Sequence, residues 1–370
     1  MNSKTCFWIH IVILSWTICL VSFKGAAQTT KHIVDSIATD FLARNHSSCI
    51  VIGIIDHGEQ KIYCYGNINK NGGPSADSNT LFEIGSLTKL FTATATAIEV
   101  HSGKLKYSDS LSSLLPGIHM PEYAGHEIKV IDLLHHTSGL PRIPTDLFIP
   151  RKNFDTLNPY AIYSRTNLDS FIDKYRLRWM PGTSYSYSNL GYGLMGDILS
   201  RIEGKSYESI IGEMIWKPLN MNHSTITLSE EQKKVIASPY NQKGEPDHLW
   251  DFDALAGAGA IRSDITDMMK FLSVSMNPGG VKDIKLKNAL IDCQTMLFNA
   301  DNGVKVGLGW HSQPFNYDRL IFHAGGTGGY HSFIGFTKNS QKGIIMLTNS
   351  QMENDEIALN ILARLSSSKN

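Results

Sequence analysis

The chain has 370 residues, 42% of them hydrophobic, with basic and acidic side chains in equal number. Such a composition requires a large folded core, and the length exceeds what one compact core serves, so two lobes are expected. Zero net charge and the lack of a long basic run leave nucleic-acid binding without electrostatic support.

The N-terminus reads as an export signal over residues 1–27. Lys4 supplies a positive start, Cys6 to Phe23 is almost entirely apolar, and Gly25-Ala26-Ala27 offers small residues for cleavage before Gln28. The apolar run lies near the lower limit for a membrane span, so an uncleaved anchor is the alternative. Cys19 does not read as a lipid-attachment site, because Trp16-Thr17-Ile18 before it lacks small residues. The mature protein is expected to be periplasmic or secreted and monomeric, touching a membrane only through an uncleaved signal. It keeps Cys49, Cys64 and Cys293. Export permits a disulfide between Cys49 and Cys64, but two buried thiols are the preferred reading.

His32 to Arg44 is an amphipathic helix, with Ile33, Ile37 and Phe41 spaced by four. Cys49–Ile55 and Lys61–Tyr65 form a hairpin around Asp56-His57-Gly58-Glu59. Glu83-Ile84-Gly85-Ser86-Leu87-Thr88-Lys89-Leu90 opens a helix that runs to His101, with Gly103 as its stop. Its small residues on all sides indicate burial in the middle of the protein. Leu111–Leu115, Ile128–His135, Leu168–Tyr175, Leu190–Glu203, Tyr207–Trp216 and Asp264–Val274 continue a mainly helical middle, with Ala254–Ala260 as a turn. Strands return at Leu320–His323, His331–Phe336 and Gly343–Leu347, and a last helix, Asp355–Leu365, has Asp355 as its N-cap. The economical fold is α+β of the three-layer α/β/α type. One antiparallel sheet is built from both chain ends and covered by the terminal helices, with a mainly helical lobe inserted between. The sheet lobe takes about 28–82 and 300–370, and the helical lobe about 83–299, within one unit of residues 28–370.

Residues three apart on a helix share a face, so Lys89 can hold its amine beside the Ser86 hydroxyl. That pair is the minimum kit for an activated serine nucleophile. The same spacing recurs at Ser366-Ser367-Ser368-Lys369, in what reads as a polar loop at the tail. Other familiar sites are excluded. There is no Gly-x-Ser-x-Gly elbow and no Gly-x-Gly-x-x-Gly, and Leu199 stands where the first glycine of a P-loop ending in Gly204-Lys205-Ser206 belongs. His135 and His136 are adjacent and point apart, so no metal or other cofactor is expected.

Two further short patterns complete the set. Tyr187-Ser188-Asn189 lies in a hydroxyl-rich loop, and His323-Ala324-Gly325 ends a strand before Gly326-Thr327-Gly328-Gly329. In this order, Ser86-x-x-Lys89, Tyr187-x-Asn189 and His323-x-Gly325 resemble the three-motif signature of penicillin-recognising serine enzymes. The tyrosine in the second motif resembles the class C β-lactamase branch, which includes D,D-carboxypeptidases, D-aminopeptidases and lactamase-fold esterases. Leu133 to Pro141, Pro181-Gly182, Lys217 to Met221, Gly307 to Trp310 and Leu347 to Asn349 are similar too, so the likeness spans nearly the whole mature chain.

The resemblance implies a β-lactamase/transpeptidase-like fold. It implies Ser86, Lys89 and Tyr187 as catalytic residues, with Asn189, His323, Gly325 and Gly326 binding substrate. Ser86 forms an acyl-enzyme, Lys89 takes its proton, Tyr187 passes protons to the leaving group, and Asn189 holds Lys89 and a substrate amide. The oxyanion hole is the Ser86 and Gly326 N–H groups. The departure is His323, where lactamases of this branch carry lysine. A lysine there is cationic and can hold a substrate carboxylate, whereas an ordinary histidine is mostly neutral. The expected function is therefore hydrolysis of small amides or esters, above all peptides bearing D-amino acids from cell-wall turnover. β-Lactamase activity and a non-catalytic penicillin-binding sensor are the alternatives. The substrate is a small molecule or peptide.

Overall fold

The computed structural model describes residues 30–300 and 303–367, so the export-signal reading lies outside the described part. The helices in chain order are α1 (30–44), α2 (Thr88–His101), α3 (Leu111–Leu114), α4 (Val130–Leu134), α5 (Arg165–Lys174), α6 (Asn189–Glu203), α7 (Tyr207–Ile211), α8 (Gln232–Val235), α9 (Ile265–Met276), α10 (Ile284–Thr295) and α11 (Asp355–Ser367). The strands are β1 (Cys49–Asp56), β2 (Glu59–Gly66), β3 (Phe82–Glu83), β4 (Glu122–Tyr123), β5 (His126–Glu127), β6 (Arg262–Ser263), β7 (Phe298–Asn299), β8 (Lys305–Val306), β9 (His311–Phe315), β10 (Asp318–Gly326), β11 (His331–Thr337) and β12 (Lys342–Thr348).

Eight strands form one antiparallel sheet in the order β2-β1-β12-β11-β10-β9-β8-β7. The first and last long strands are neighbours, Ile50 lying opposite Thr348. β1 and β2 form the expected hairpin, and His57 and Gly58 turn it with φ of 49° and 86°. Two left-handed residues in succession match the right-handed twist of the strands they join.

Alternation along β1 assigns its two faces. Ile50, Ile52 and Ile54 pack with Ile344 and Met346 of β12 against Val34, Ala38 and Phe41 of α1 and Ile361 and Leu362 of α11. Val51 and Ile55 face the other way, joining Ile345, Leu347, Ile265 and Met269 in the larger core. This is the α/β/α layering inferred from sequence. The buried stripe of α1 is Val34, Ala38 and Phe41, one position from the expected Ile33 and Ile37, which are half-buried at its margin.

α2 runs through the larger core with Thr88 to Glu99 wholly buried. Its alternating threonines look strand-like, yet Thr94 and Thr96 donate their hydroxyls to the carbonyl four residues back, at 2.7 and 2.8 Å, and Thr92 donates to the Gly257 carbonyl at 2.7 Å. The first two hydroxyls are thus satisfied within the helix, the third by its neighbour. Gly103 ends it with φ of 78°; its N–H reaches the Val100 carbonyl and that of Lys104 reaches Glu99. Those two bonds make the Schellman stop.

Several boundaries differ from expectation. The helix expected over Ile128–His135 is only α4, and Tyr207–Trp216 is α7 followed by a wide π turn over Gly212–Trp216. Asp355 is the first helical residue, not the cap, and its carboxylate meets His331 Nε2 at 2.7 Å. α11 continues to Ser367, so Ser366 is helical, not loop, and donates to the Leu362 carbonyl. α10 and β9 went unread. Pro314 disguises β9; it pairs only with Arg319 of β10, beyond the end of β8, so its missing N–H costs no second ladder. Cys49, Cys64 and Cys293 are free thiols.

Ile361 is fully buried between α11 and the sheet. Replacing it with alanine should lower stability by about 2–5 kcal/mol, measured by urea unfolding, because α11 cannot close the gap without lifting off β12.

Candidate active site

The site starts from a two-residue ribbon. Glu83 of β3 lies opposite Arg262 of β6, and Arg262 Nη2 reaches Glu83 Oε1 at 3.2 Å. Burial outweighs the arginine and raises the Glu83 carboxyl to about 7. The Ile84 N–H then donates to the Ile261 carbonyl at 3.0 Å. Gly85 follows in the left-handed region at φ 49°, and a Cβ there would lie 2.8–2.9 Å from the Gly326 backbone. Only glycine fits both constraints. The chain can therefore bring Ser86 against the end of β10 before turning into α2.

Lys89 Nζ lies 2.9 Å from Ser86 Oγ and donates to the Ala258 carbonyl at 2.7 Å. The amine is fully buried, and its pKa falls well below the ordinary lysine value, through desolvation first and the Arg142 charge second. Ala258 belongs to a 3-10 turn over Ala256–Ala258. The sequence reading gave Asn189 the task of holding Lys89. In the structure the amine's partners are Ser86 and Ala258, and Asn189 Oδ1 is buried with no partner among the described residues.

Tyr187 and Asn189 are set by the start of α6. Ser188 caps that helix, its Oγ accepting from Gly191 N at 2.9 Å, and Asn189 N donates to the Arg142 carbonyl at 2.8 Å. The His136 ring stacks on Tyr187 at 4.3 Å, and its Nδ1 accepts from Ser188 N at 3.0 Å. Burial pushes the Tyr187 phenol up, with its hydrogen bond to Ser86 acting the other way. The phenol therefore keeps its proton at neutral pH.

His323 stands on β10 with Nδ1 2.6 Å from the Ala324 carbonyl. That acceptor assigns the proton to Nδ1 and leaves Nε2, which is buried with no partner among the described residues, as a hydrogen-bond acceptor. Burial, then His311 and Lys89, hold its pKa well below the ordinary histidine value, so the ring is neutral. Gly325 has no room for a side chain: a Cβ would lie 2.3 Å from the Ile84 carbonyl oxygen and 3.0 Å from Ser86 N. Thr327 N donates to the Tyr330 carbonyl at 3.0 Å and closes the β10–β11 turn. Gly326, opposite His331, is then a non-hydrogen-bonded pair whose N–H points away from β11. β9 ends opposite Phe322, so no strand takes that N–H.

Ser86, Tyr187, Asn189, His323, Gly325 and Gly326 line one cavity of about 590 Å³, with Lys89 buried behind Ser86. Arg142, Tyr160, His311 and Trp250 line it too and were not singled out from sequence. His311 had one signal, its place directly after Gly307-Leu308-Gly309-Trp310; Arg142 follows Leu140-Pro141. The Ala258 carbonyl had none, because any residue supplies a carbonyl. The cavity offers a base, a nucleophile, a protonated phenol and two buried acceptors.

Among the described residues, His223, Asp264 and Asp267 form the only cluster with the reach to hold a metal ion. Its oxygens serve the fold: Asp264 Oδ1 caps α9 through Asp267 N, and Asp267 Oδ2 accepts from His223 N and Ser224 N.

A buried amine of lowered pKa against a serine hydroxyl, facing a cleft with acceptors and a proton donor, defines a serine hydrolase. Residues 34–367 match the family model described as Beta-lactamase, and the chain belongs to that family. It is 25% identical over 362 residues to a beta-lactamase of Pseudomonas fluorescens, covering 89% of this chain and 96% of that protein. It is likewise 25% identical over 373 residues to the D-alanyl-D-alanine-carboxypeptidase/endopeptidase AmpH of Escherichia coli K12, covering 92% of both. A solved class C beta-lactamase superposes with a TM-score of 0.79 at 26% identity, over 92% of this chain and 97% of that one. The fold is thus β-lactamase/transpeptidase-like, as the sequence reading held.

A buried amine that must shed its proton weakens the fold below the ordinary lysine pKa. That penalty is absent above the unfolded pKa and grows as pH falls toward the lowered folded value. Lys89→Met should therefore be more stable than the native protein at pH 7. The gain should shrink as pH approaches 10, as read by urea unfolding at both values.

Proposed function

We propose that the chain is an exported acyl-serine hydrolase of small amides and esters, acting above all on peptides with D-amino acids from cell-wall turnover. The observation that carries this is Lys89 Nζ, buried and 2.9 Å from Ser86 Oγ, with its pKa held well below the ordinary lysine value. In ordinary surroundings roughly one lysine in 2,500 is neutral at pH 7; burial lowers the pKa and so enlarges that fraction. The carboxypeptidase name of one relative supports the substrate class.

In the first half-reaction the Ser86 proton passes to Lys89 while Oγ bonds to the carbonyl carbon. The developing oxyanion lies between the Ser86 and Gly326 N–H groups, donors of a kind worth about 3–4 kcal/mol each. The carbon–nitrogen or carbon–oxygen bond breaks, and Tyr187 delivers a proton to the leaving group. In the second half water attacks the ester, gives a proton to the same relay, and Ser86 leaves with its hydrogen restored. Asn189 Oδ1 and His323 Nε2 accept hydrogen bonds from substrate N–H or O–H groups, the two needs left open in the cavity.

β-Lactamase action is the second reading, supported by the names of several relatives. Against it stands the neutral His323 where the family's lysine would anchor a carboxylate. Ranking kcat/KM over D-amino acid peptides, p-nitrophenyl esters and a cephalosporin separates them. Fast cephalosporin turnover alone would replace the first reading by the second.

Ser86→Ala should abolish both turnover and covalent labelling by a fluorophosphonate, read by mass spectrometry; label carried on another residue overturns the assignment. Tyr187→Phe should fold normally and lose about 10²–10⁴ in kcat. Undiminished kcat in that variant removes the phenol from the relay.

A further inference from the structure

Arg142 is the only arginine or lysine among the described residues that line the cavity. Its backbone is held in place, the carbonyl accepting from Asn189 N at 2.8 Å and Leu190 N at 3.3 Å. Its guanidinium carbon lies 5.0 Å from the centre of the Tyr187 ring, a cation resting on an aromatic face. No ion pair or side-chain hydrogen bond to another described residue engages that guanidinium. An exposed guanidinium resting on a ring at the wall of a cleft, with no ion pair among the described residues, has five donors suited to a carboxylate.

The β10 side of the cleft has the opposite character. His323 presents an acceptor, not a cation, and Glu353 and Asp355 stand at the rim. Asp355 is engaged with His331 at 2.7 Å, and Glu353 is exposed. A substrate carboxylate laid along β10 would meet lone pairs and negative charge. The same group laid over Tyr187 would meet Arg142.

We propose that Arg142 reads a carboxylate on the substrate, so the cleft takes small esters or amides that bear one and holds it beside Tyr187 rather than along β10. This rests on the hydrolase reading above and adds to it the charge of the substrate and the wall that binds it. Arg142 also acts on the base. Lys89 is faced by Tyr187, Tyr192, His136, His311, His323 and Arg142, and of these only Arg142 contributes, after burial, to lowering its pKa.

The test uses two matched ester pairs. Phenyl hydrogen glutarate against phenyl butyrate places the carboxylate in the acyl group. S-acetylthioglycolic acid against its methyl ester places it in the leaving group. The native protein should prefer the anionic member of at least one pair by about tenfold in kcat/KM, the worth of one charge-assisted hydrogen bond. The preference should vanish in Arg142→Gln and partly return in Arg142→Lys. Arg142→Gln should also move the acidic limb of kcat/KM for phenyl butyrate to higher pH, because a cation that favours neutral Lys89 is gone. An arginine that served the fold alone would leave that limb in place. Turnover of the neutral esters with no anionic preference, or a preference that survives in Arg142→Gln, overturns the proposal alone. No turnover of any of the four esters overturns the hydrolase reading itself.

Discussion

The structure depends on keeping water away from one amine. An ammonium carried into a protein interior without a counter-charge is costly, and the alternative open to it is to give up its proton. Lys89 takes that course. Burial and the Arg142 charge press it that way, among the rings of Tyr187 and Tyr192 at 5.0 and 5.9 Å, one carbonyl and one hydroxyl. The carbonyl arrives because α6 and the turn before Ala258 approach to backbone contact. A Cβ on Gly257 would lie 2.6 Å from the Tyr192 carbonyl oxygen and 2.9 Å from Gly196 Cα. Small residues along α2 and α6 are thus a condition of the chemistry as well as of the packing.

Much of this was legible in the sequence because burial leaves marks in composition. The β1–β2 hairpin and the last three strands are apolar runs bounded by turn residues, α2 is marked by its alanines and its stop at Gly103, and Ser86, Lys89, Tyr187, Asn189 and His323 fall on these elements or on the hydroxyl-rich loop before α6. What escaped has a physical explanation. β9 carries a proline where its neighbour strand has already ended. β3 and β6 are two residues each, too short for any period, though they set the approach to Ser86. The Ala258 carbonyl has no side-chain signature. Arg142 lies in a loop segment between Pro141 and Pro144, where neither period applies. Asp355 looked like a cap because aspartate favours that position; a buried histidine claims its carboxylate instead.

The cleft separates two tasks that one lysine on β10 could combine. A neutral histidine there keeps that strand as a hydrogen-bonding edge, with acceptors for substrate N–H groups. Positive charge is moved to the loop that also carries the α6 entrance, where it reaches both the ligand and the base. Recognition and activation then share one side chain, and the strength of the base depends on what occupies the arginine.

The adjacency of β1 and β12 has a consequence for how the molecule comes into being. Asn349 Oδ1 accepts from Cys49 N at 3.0 Å across 300 residues of chain, and the same oxygen takes Ser47 Oγ and Ser48 N. Until the last strand and α11 are synthesised, β1 has only β2 beside it, and an isolated hairpin is marginal in water. The two strands must find each other across 300 residues of chain, a non-local closure of the kind that slows folding. α2 is itself held by partners distant in sequence, Lys89 by the Ala258 carbonyl and Thr92 by the Gly257 carbonyl, so the nucleophile's helix depends on long closures of its own. Assembly of the catalytic groups is then a long-range event, and a chain cut between α2 and β12 keeps Ser86 and Lys89 without the complete sheet that backs the cleft.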